Sequence, residues 1–88
     1  MNSDSRGHWC IFYCKKSQPT KWHVMKLQRA DGVLVSAKKY DEVFKFVKYK
    51  SAFDFAKQLL TEEPEPKYDV TVKRVCRARN DSFYLAGN

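Results

Sequence analysis

The chain contains no apolar run near the roughly 18 residues that a helix needs to cross a bilayer, and its opening residues lack the apolar stretch of a secretory signal. No membrane partner is therefore expected, and a cytoplasmic address follows. Glycine is scarce, at three in 88 residues, which leaves no room for a glycine-rich phosphate loop. Cysteine is both sparse and odd in number, with Cys10, Cys14 and Cys76 alone; a secreted disulfide scaffold of this size would carry an even and denser set, so the thiols are expected to be reduced. Acidic residues are outnumbered, ten against seventeen lysines and arginines, for a net charge of +7.

What is present is enough for one folded domain. Hydrophobic residues make up 43 % of the chain and aromatics 15 %, which argues against general disorder, and a chain this short builds a single core. The charge is unevenly placed: residues 1–30 carry a net +5, residues 31–50 +2, residues 51–66 −3 and residues 67–88 +3. The segment that reads as a helix is acidic and the segments that read as strands are basic.

Residues 1–7 read as a frayed polar lead-in, 8–79 as the domain and 80–88 as a tail in which Phe83, Tyr84 and Leu85 alone are apolar. From His8 to Lys16 the alternation puts Cys10, Phe12 and Cys14 on one face of a strand and Trp9, Ile11, Tyr13 and Lys15 on the other. A turn at Ser17-Gln18-Pro19-Thr20 leads to a second strand, Lys21 to Arg29, with His23, Met25 and Leu27 opposite Trp22, Val24, Lys26 and Gln28. Asp31-Gly32 is a hairpin signal, placing a third strand over Val33 to Ala37. Residues 38–50 fit either a strand or a helical face, and their β-branched and aromatic content favours a strand. Ser51 and Asp54 resemble a capping box for a helix from Ala52 to Glu62, on which Ala52, Phe55, Ala56, Leu59 and Leu60 recur at helical spacing; Pro64-Glu65-Pro66 ends it. A long strand from Tyr68 to Arg77 alternates Tyr68, Val70, Val72, Arg74 and Cys76 against Asp69, Thr71, Lys73, Val75 and Arg77.

The expected fold is α+β, an antiparallel sheet of four to five strands with one helix packed on one face. The other face is expected to meet solvent or a partner.

Rings and cations interleave along the strands, which suggests a surface for RNA or single-stranded nucleic acid. Cations displace counterions from phosphates, and flat rings hold unstacked bases. The nominated residues are Trp9, Tyr13, Lys15, Lys16, Trp22, Lys26, Lys45, Tyr49, Lys73, Arg74, Arg77 and Arg79. Arg74, Arg77 and Arg79 are the sharpest group because a guanidinium fork suits phosphate, although Arg74 and Arg77 point to opposite faces of a regular strand. The ordinary alternative is that the rings are core and the lysines keep the protein soluble.

A zinc site from His8, Cys10, Cys14 and His23 is disfavoured, because the two cysteines on one extended strand stand about 13 Å apart; neither a metal nor another cofactor is expected. No Ser-His-Asp pattern or carboxylate pair points to an enzyme. Two further functions compete with nucleic-acid binding: a small inhibitor of viral or mobile-element type that binds a toxin, nuclease or other nucleic-acid enzyme of a host, and a metal-free ribonuclease using His8 and His23 as acid and base.

Overall fold

The computed structural model describes residues 7–61 and 68–85. The segment 1–6, the largely acidic stretch 62–67 and residues 86–88 lie outside this description, and with them most of the expected lead-in, the expected end of the helix and the last part of the tail.

One helix packs against an antiparallel sheet. The strands are β1 (His8–Lys15), β2 (His23–Gln28), β3 (Leu34–Ser36), β4 (Lys45–Phe46), β5 (Tyr68–Arg77) and β6 (Phe83–Leu85); the helix α1 is Tyr49–Thr61. The spatial order is β3-β2-β1-β5-β6, and β4 pairs with β1. Strand β1 is the axis of the fold. Strand β5 runs beside it from His8↔Val75 to Lys15↔Tyr68. Its other edge is shared: β2 takes the far half through Phe12↔Val24 and Tyr13↔His23, and β4 takes the near half through Trp9↔Phe46 and Cys10↔Lys45.

The alternation read from the sequence holds. Ile11, Tyr13 and Met25 face the helix with Val70 and Val72, meeting Phe55, Ala56 and Leu59 of α1. Phe44, Phe46 and Phe55 form a knot of rings at centroid distances of 4.8, 5.1 and 5.7 Å, anchoring the start of the helix to the sheet. Each ring is partly buried, and full burial of such a ring would contribute on the order of 1.5–3 kcal/mol, so each contributes a part of that.

The segment between β3 and α1 departs from the expected strand. Only Lys45 and Phe46 pair, because β2 already occupies the rest of that edge of β1. The chain before them turns through a 3-10 turn, Tyr40–Glu42, and lies over the sheet face opposite the helix. There Ala37, Tyr40 and Val43 pack on Cys10, Val24 and Val75. The face expected to stand open is thus covered at one end by this connection. Glu42 closes the turn by accepting the backbone N–H groups of Lys38 and Lys39 at 3.0 and 3.4 Å.

The helix also departs from its expected start. It begins at Tyr49, and the Ala52 N–H donates to the Lys48 carbonyl at 3.3 Å, so Ser51 lies inside the first turn and is not its cap. With Lys50, Asp54 and Lys57 as its charged residues, α1 carries a net +1; the glutamates that made its segment acidic come after Thr61. The tail, finally, is part of the sheet. After a second 3-10 turn, Arg79–Asp81, strand β6 pairs with β5 through Val75↔Leu85, Cys76↔Tyr84 and Arg77↔Phe83.

Candidate nucleic-acid interface

The nominated residues do not form one surface. Trp9, Tyr49 and Arg74 come together where α1 begins. Trp9, half-buried on the helix side of β1, meets the edge of Tyr49 at 4.9 Å and 73°. Arg74, directly across the ladder on β5, holds its guanidinium carbon 6.0 Å from the Trp9 ring. Tyr49 is 47 % exposed and lies alongside Phe53, 44 % exposed, with centroids 5.8 Å apart and planes 24° from parallel. Lys57, one turn further, places its ammonium 5.7 Å from the Phe53 ring. The result is a strip of three rings, Tyr49 and Phe53 exposed and Trp9 half-buried, with a cation at each end.

Phe53 and Lys57 were not nominated. They follow Tyr49 at intervals of four, one stripe of a helix, and that spacing becomes visible only once the helix starts at Tyr49.

Lys45, Lys73 and Arg77 lie on the opposite face, where Lys73 is exposed and the charges of Lys45 and Arg77 are used internally. Lys45 and Lys73 flank Cys10 in the ladder. The fully buried Tyr40 ring has Lys45 4.7 Å from its centroid and Arg77 4.9 Å, while its hydroxyl is hydrogen-bonded to His8 Nδ1 at 2.8 Å. Lys45 also donates to the Val43 carbonyl at 3.2 Å. Arg77 donates to Asp81 at 2.6 Å and to Asp41 at 2.9 Å, tying the two 3-10 turns together. Its expected phosphate role gives way to this network, since both arms of its fork carry a carboxylate. Burial pushes the Cys10 thiol up to about 12, against the opposing pull of Lys45, which makes it a poor nucleophile.

The remaining nominees are dispersed. Lys15, Lys16 and Trp22 are exposed at the far end of β1, Arg79 is exposed on the second 3-10 turn, and Lys26 pairs with Glu42 at 3.8 Å. Tyr13 is a correction: it is only 5 % exposed, lies against Tyr68 and His23 at 5.5 and 5.6 Å, and donates to the Leu34 carbonyl at 3.4 Å, so it is a core ring and offers no face to a base.

Few of the cations are compensated by carboxylates. The ion pairs among the described residues are Lys26–Glu42, Arg29–Asp31 and the two made by Arg77; none involves Arg74, Lys57, Lys48 or Lys50. The cations beside the ring strip are therefore uncompensated within the described residues, which is the arrangement that attracts a polyanion.

The histidines do not share a site. His8 is at one end of β1 and faces Tyr40, whereas His23 is paired with Tyr13 about 17 Å along the strand and on the helix side. Among the described residues no three His, Cys, Asp or Glu side chains converge as a metal would require; all three cysteines are buried, Cys10 and Cys14 as free thiols. No helix in the described residues is long and apolar enough to cross a membrane.

The structure thus defines an α+β protein with a single helix. No protein-family model, curated protein or solved structure matches the chain.

Proposed function

We propose that this protein is a small, basic, non-catalytic nucleic-acid-binding protein whose target is RNA or single-stranded nucleic acid. The observation that carries the reading is the ring strip Trp9-Tyr49-Phe53 with Arg74 and Lys57 at its ends and no acidic partner for either cation among the described residues. Bases stack on the rings, each contributing roughly 1–3 kcal/mol, and the cations take the neighbouring phosphates. Exposed ring faces such as those of Tyr49 and Phe53 reach unstacked bases and not those inside a duplex, so single strands are preferred. Free thiols fit a cytoplasmic setting.

The test is fluorescence anisotropy with labelled mixed-sequence RNA, single-stranded and as a duplex. Tighter binding of the single strand, weakening steeply with added salt, supports the proposal; equal or absent binding of both removes it.

A second reading is favoured by one feature, the outer edge of β6. Its three residues carry no charge and no proline, and Tyr84 and Leu85 are exposed on opposite faces of it, so among the described residues its shortness is what guards this edge against pairing with another chain. This suits a small inhibitor of viral or mobile-element type that adds a strand to a host toxin or nuclease. A pull-down treated with nuclease separates the readings: a stoichiometric protein that stays bound favours the inhibitor, and loss of all bound material favours RNA.

A further inference from the structure

The ring strip beside the helix does not end at Trp9. The β5–β6 hairpin carries Tyr84 onto the helix side of the sheet, because Cys76, its partner in the ladder, alternates with Arg74 on β5 and Arg74 lies over Trp9. Tyr84 is 53 % exposed. From Trp9 to Tyr84 is two strand spacings across and two residues along, about 12 Å between backbones. Arg74 stands on the strand between them and enters none of the ion pairs of the described residues.

The start of β1 lies close against β5 beside these rings. Gly7, immediately before β1, has a φ of +71°, and a Cβ there would collide with the Val75 carbonyl oxygen and lie 2.8 Å from Cys76 Sγ. Only glycine fits that position, so Gly7 itself puts no side chain beside Arg74 and Cys76, the residues of β5 that lie between Trp9 and Tyr84 on this face. Tyr84 is also held in place. Asn80 and Asp81 take the left-handed conformation in the turn before it, at φ 57° and 58°, residue types that tolerate it. The Ala78 N–H donates to the Ser82 carbonyl at 2.8 Å, the Ser82 hydroxyl donates to the Arg79 carbonyl at 2.7 Å, and Arg77 clamps Asp81. A ring already ordered loses little freedom when a base settles on it.

We propose that Tyr84 is a further base-stacking residue of the nucleic-acid site, so that a single strand lies across β1, β5 and β6, transverse to the sheet, with a base on Trp9, a base on Tyr84 and a phosphate on Arg74 between them. This rests on the nucleic-acid reading above. At about 3.4 Å of rise per nucleotide the span corresponds to three or four steps and so to four or five nucleotides, and a dinucleotide reaches only one of the two stations.

The experiment measures binding of mixed-sequence single-stranded RNA of about two and about eight nucleotides to the parent protein and to Tyr84→Thr, Tyr84→Phe and Trp9→Phe. Threonine is a good strand former and keeps β6, which circular dichroism checks. Tyr84→Thr is expected to weaken the longer RNA roughly 5- to 150-fold while leaving the dinucleotide on Trp9 unchanged, and Tyr84→Phe to retain binding. Ultraviolet crosslinking of the parent protein to oligouridine, read by mass spectrometry, is expected to mark Tyr84 as well as Trp9, independently of any variant. Unchanged affinity of Tyr84→Thr for the longer RNA, or crosslinks confined to Trp9, Tyr49 and Phe53, overturns the extension and leaves the nucleic-acid reading standing. Absence of RNA binding by the parent protein overturns both.

Discussion

Arg74 and Arg77 stand three residues apart on one strand, yet they do opposite things. Arg74 lies over the Trp9 ring at 6.0 Å with no part in the ion pairs of the described residues, whereas Arg77 lies over Tyr40 at 4.9 Å with one carboxylate on each arm of its fork. An odd spacing on a strand sends the two side chains to opposite faces, and among the described residues only Arg77 meets carboxylates there.

Arg77→Ala is accordingly expected to destabilise the fold by about 1–3 kcal/mol, because Asp41 and Asp81 lose their partner and the two 3-10 turns come apart. Arg74→Gln is expected to leave stability within about 0.5 kcal/mol. Urea denaturation of the two variants measures the difference. Equal stabilities contradict the assignment of Arg77 to the internal network.

Phe53→Ser separates binding from folding. The ring is about half exposed on the outer stripe of α1, so its removal is expected to cost no more than about 1 kcal/mol of stability. Binding of single-stranded RNA should weaken by about 1–3 kcal/mol, the usual loss when one stacking ring is removed. Anisotropy titration and thermal melting on the same preparation check both halves.

Gly7→Ala is expected to destabilise by about 1–3 kcal/mol, since it adds both a left-handed non-glycine residue and a Cβ overlapping the β5 backbone. A lowered melting temperature is the expected result; an unchanged one would mean that the chain before β1 readily lies elsewhere.

Acid should loosen the turn over Tyr40. The backbone N–H of Lys38, with lesser help from Lys26 and Lys39, holds the Glu42 carboxyl below the usual carboxylate range. A carboxyl whose pKa is lower in the folded than in the unfolded chain contributes its stability above the unfolded pKa and loses it as pH falls through the folded one. Melting temperature followed from about pH 5 down to about pH 2 should therefore fall less steeply for Glu42→Gln than for the parent. Parallel curves would show that Glu42 contributes nothing specific.

Much of this architecture was legible in the residues. The faces of β1 and β5 followed from a strict period of two, and the bounds of β5, Tyr68 to Arg77, matched the expected strand because a proline-rich stretch precedes it and polar residues follow. The connection from Lys38 to Lys48 was not legible. Its aromatic and β-branched residues have strand character, but β2 had already taken half of the β1 edge, and no local pattern records a competition between distant segments. Tyr13 illustrates the same limit for the site. Ring and cation content marks a binding strand, yet which rings are covered depends on where the helix lies, and the helix buried Tyr13 while leaving Tyr49 and Phe53 outside.

The most direct measurement is the salt dependence of affinity for single-stranded RNA, compared between the parent protein and the Arg74→Gln, Lys57→Gln double variant. Removing two phosphate contacts is expected to reduce the slope of log affinity against log salt by about 1.4, at about 0.7 per contact for a single strand. An unchanged slope, or binding by the parent protein that ignores salt, contradicts the account.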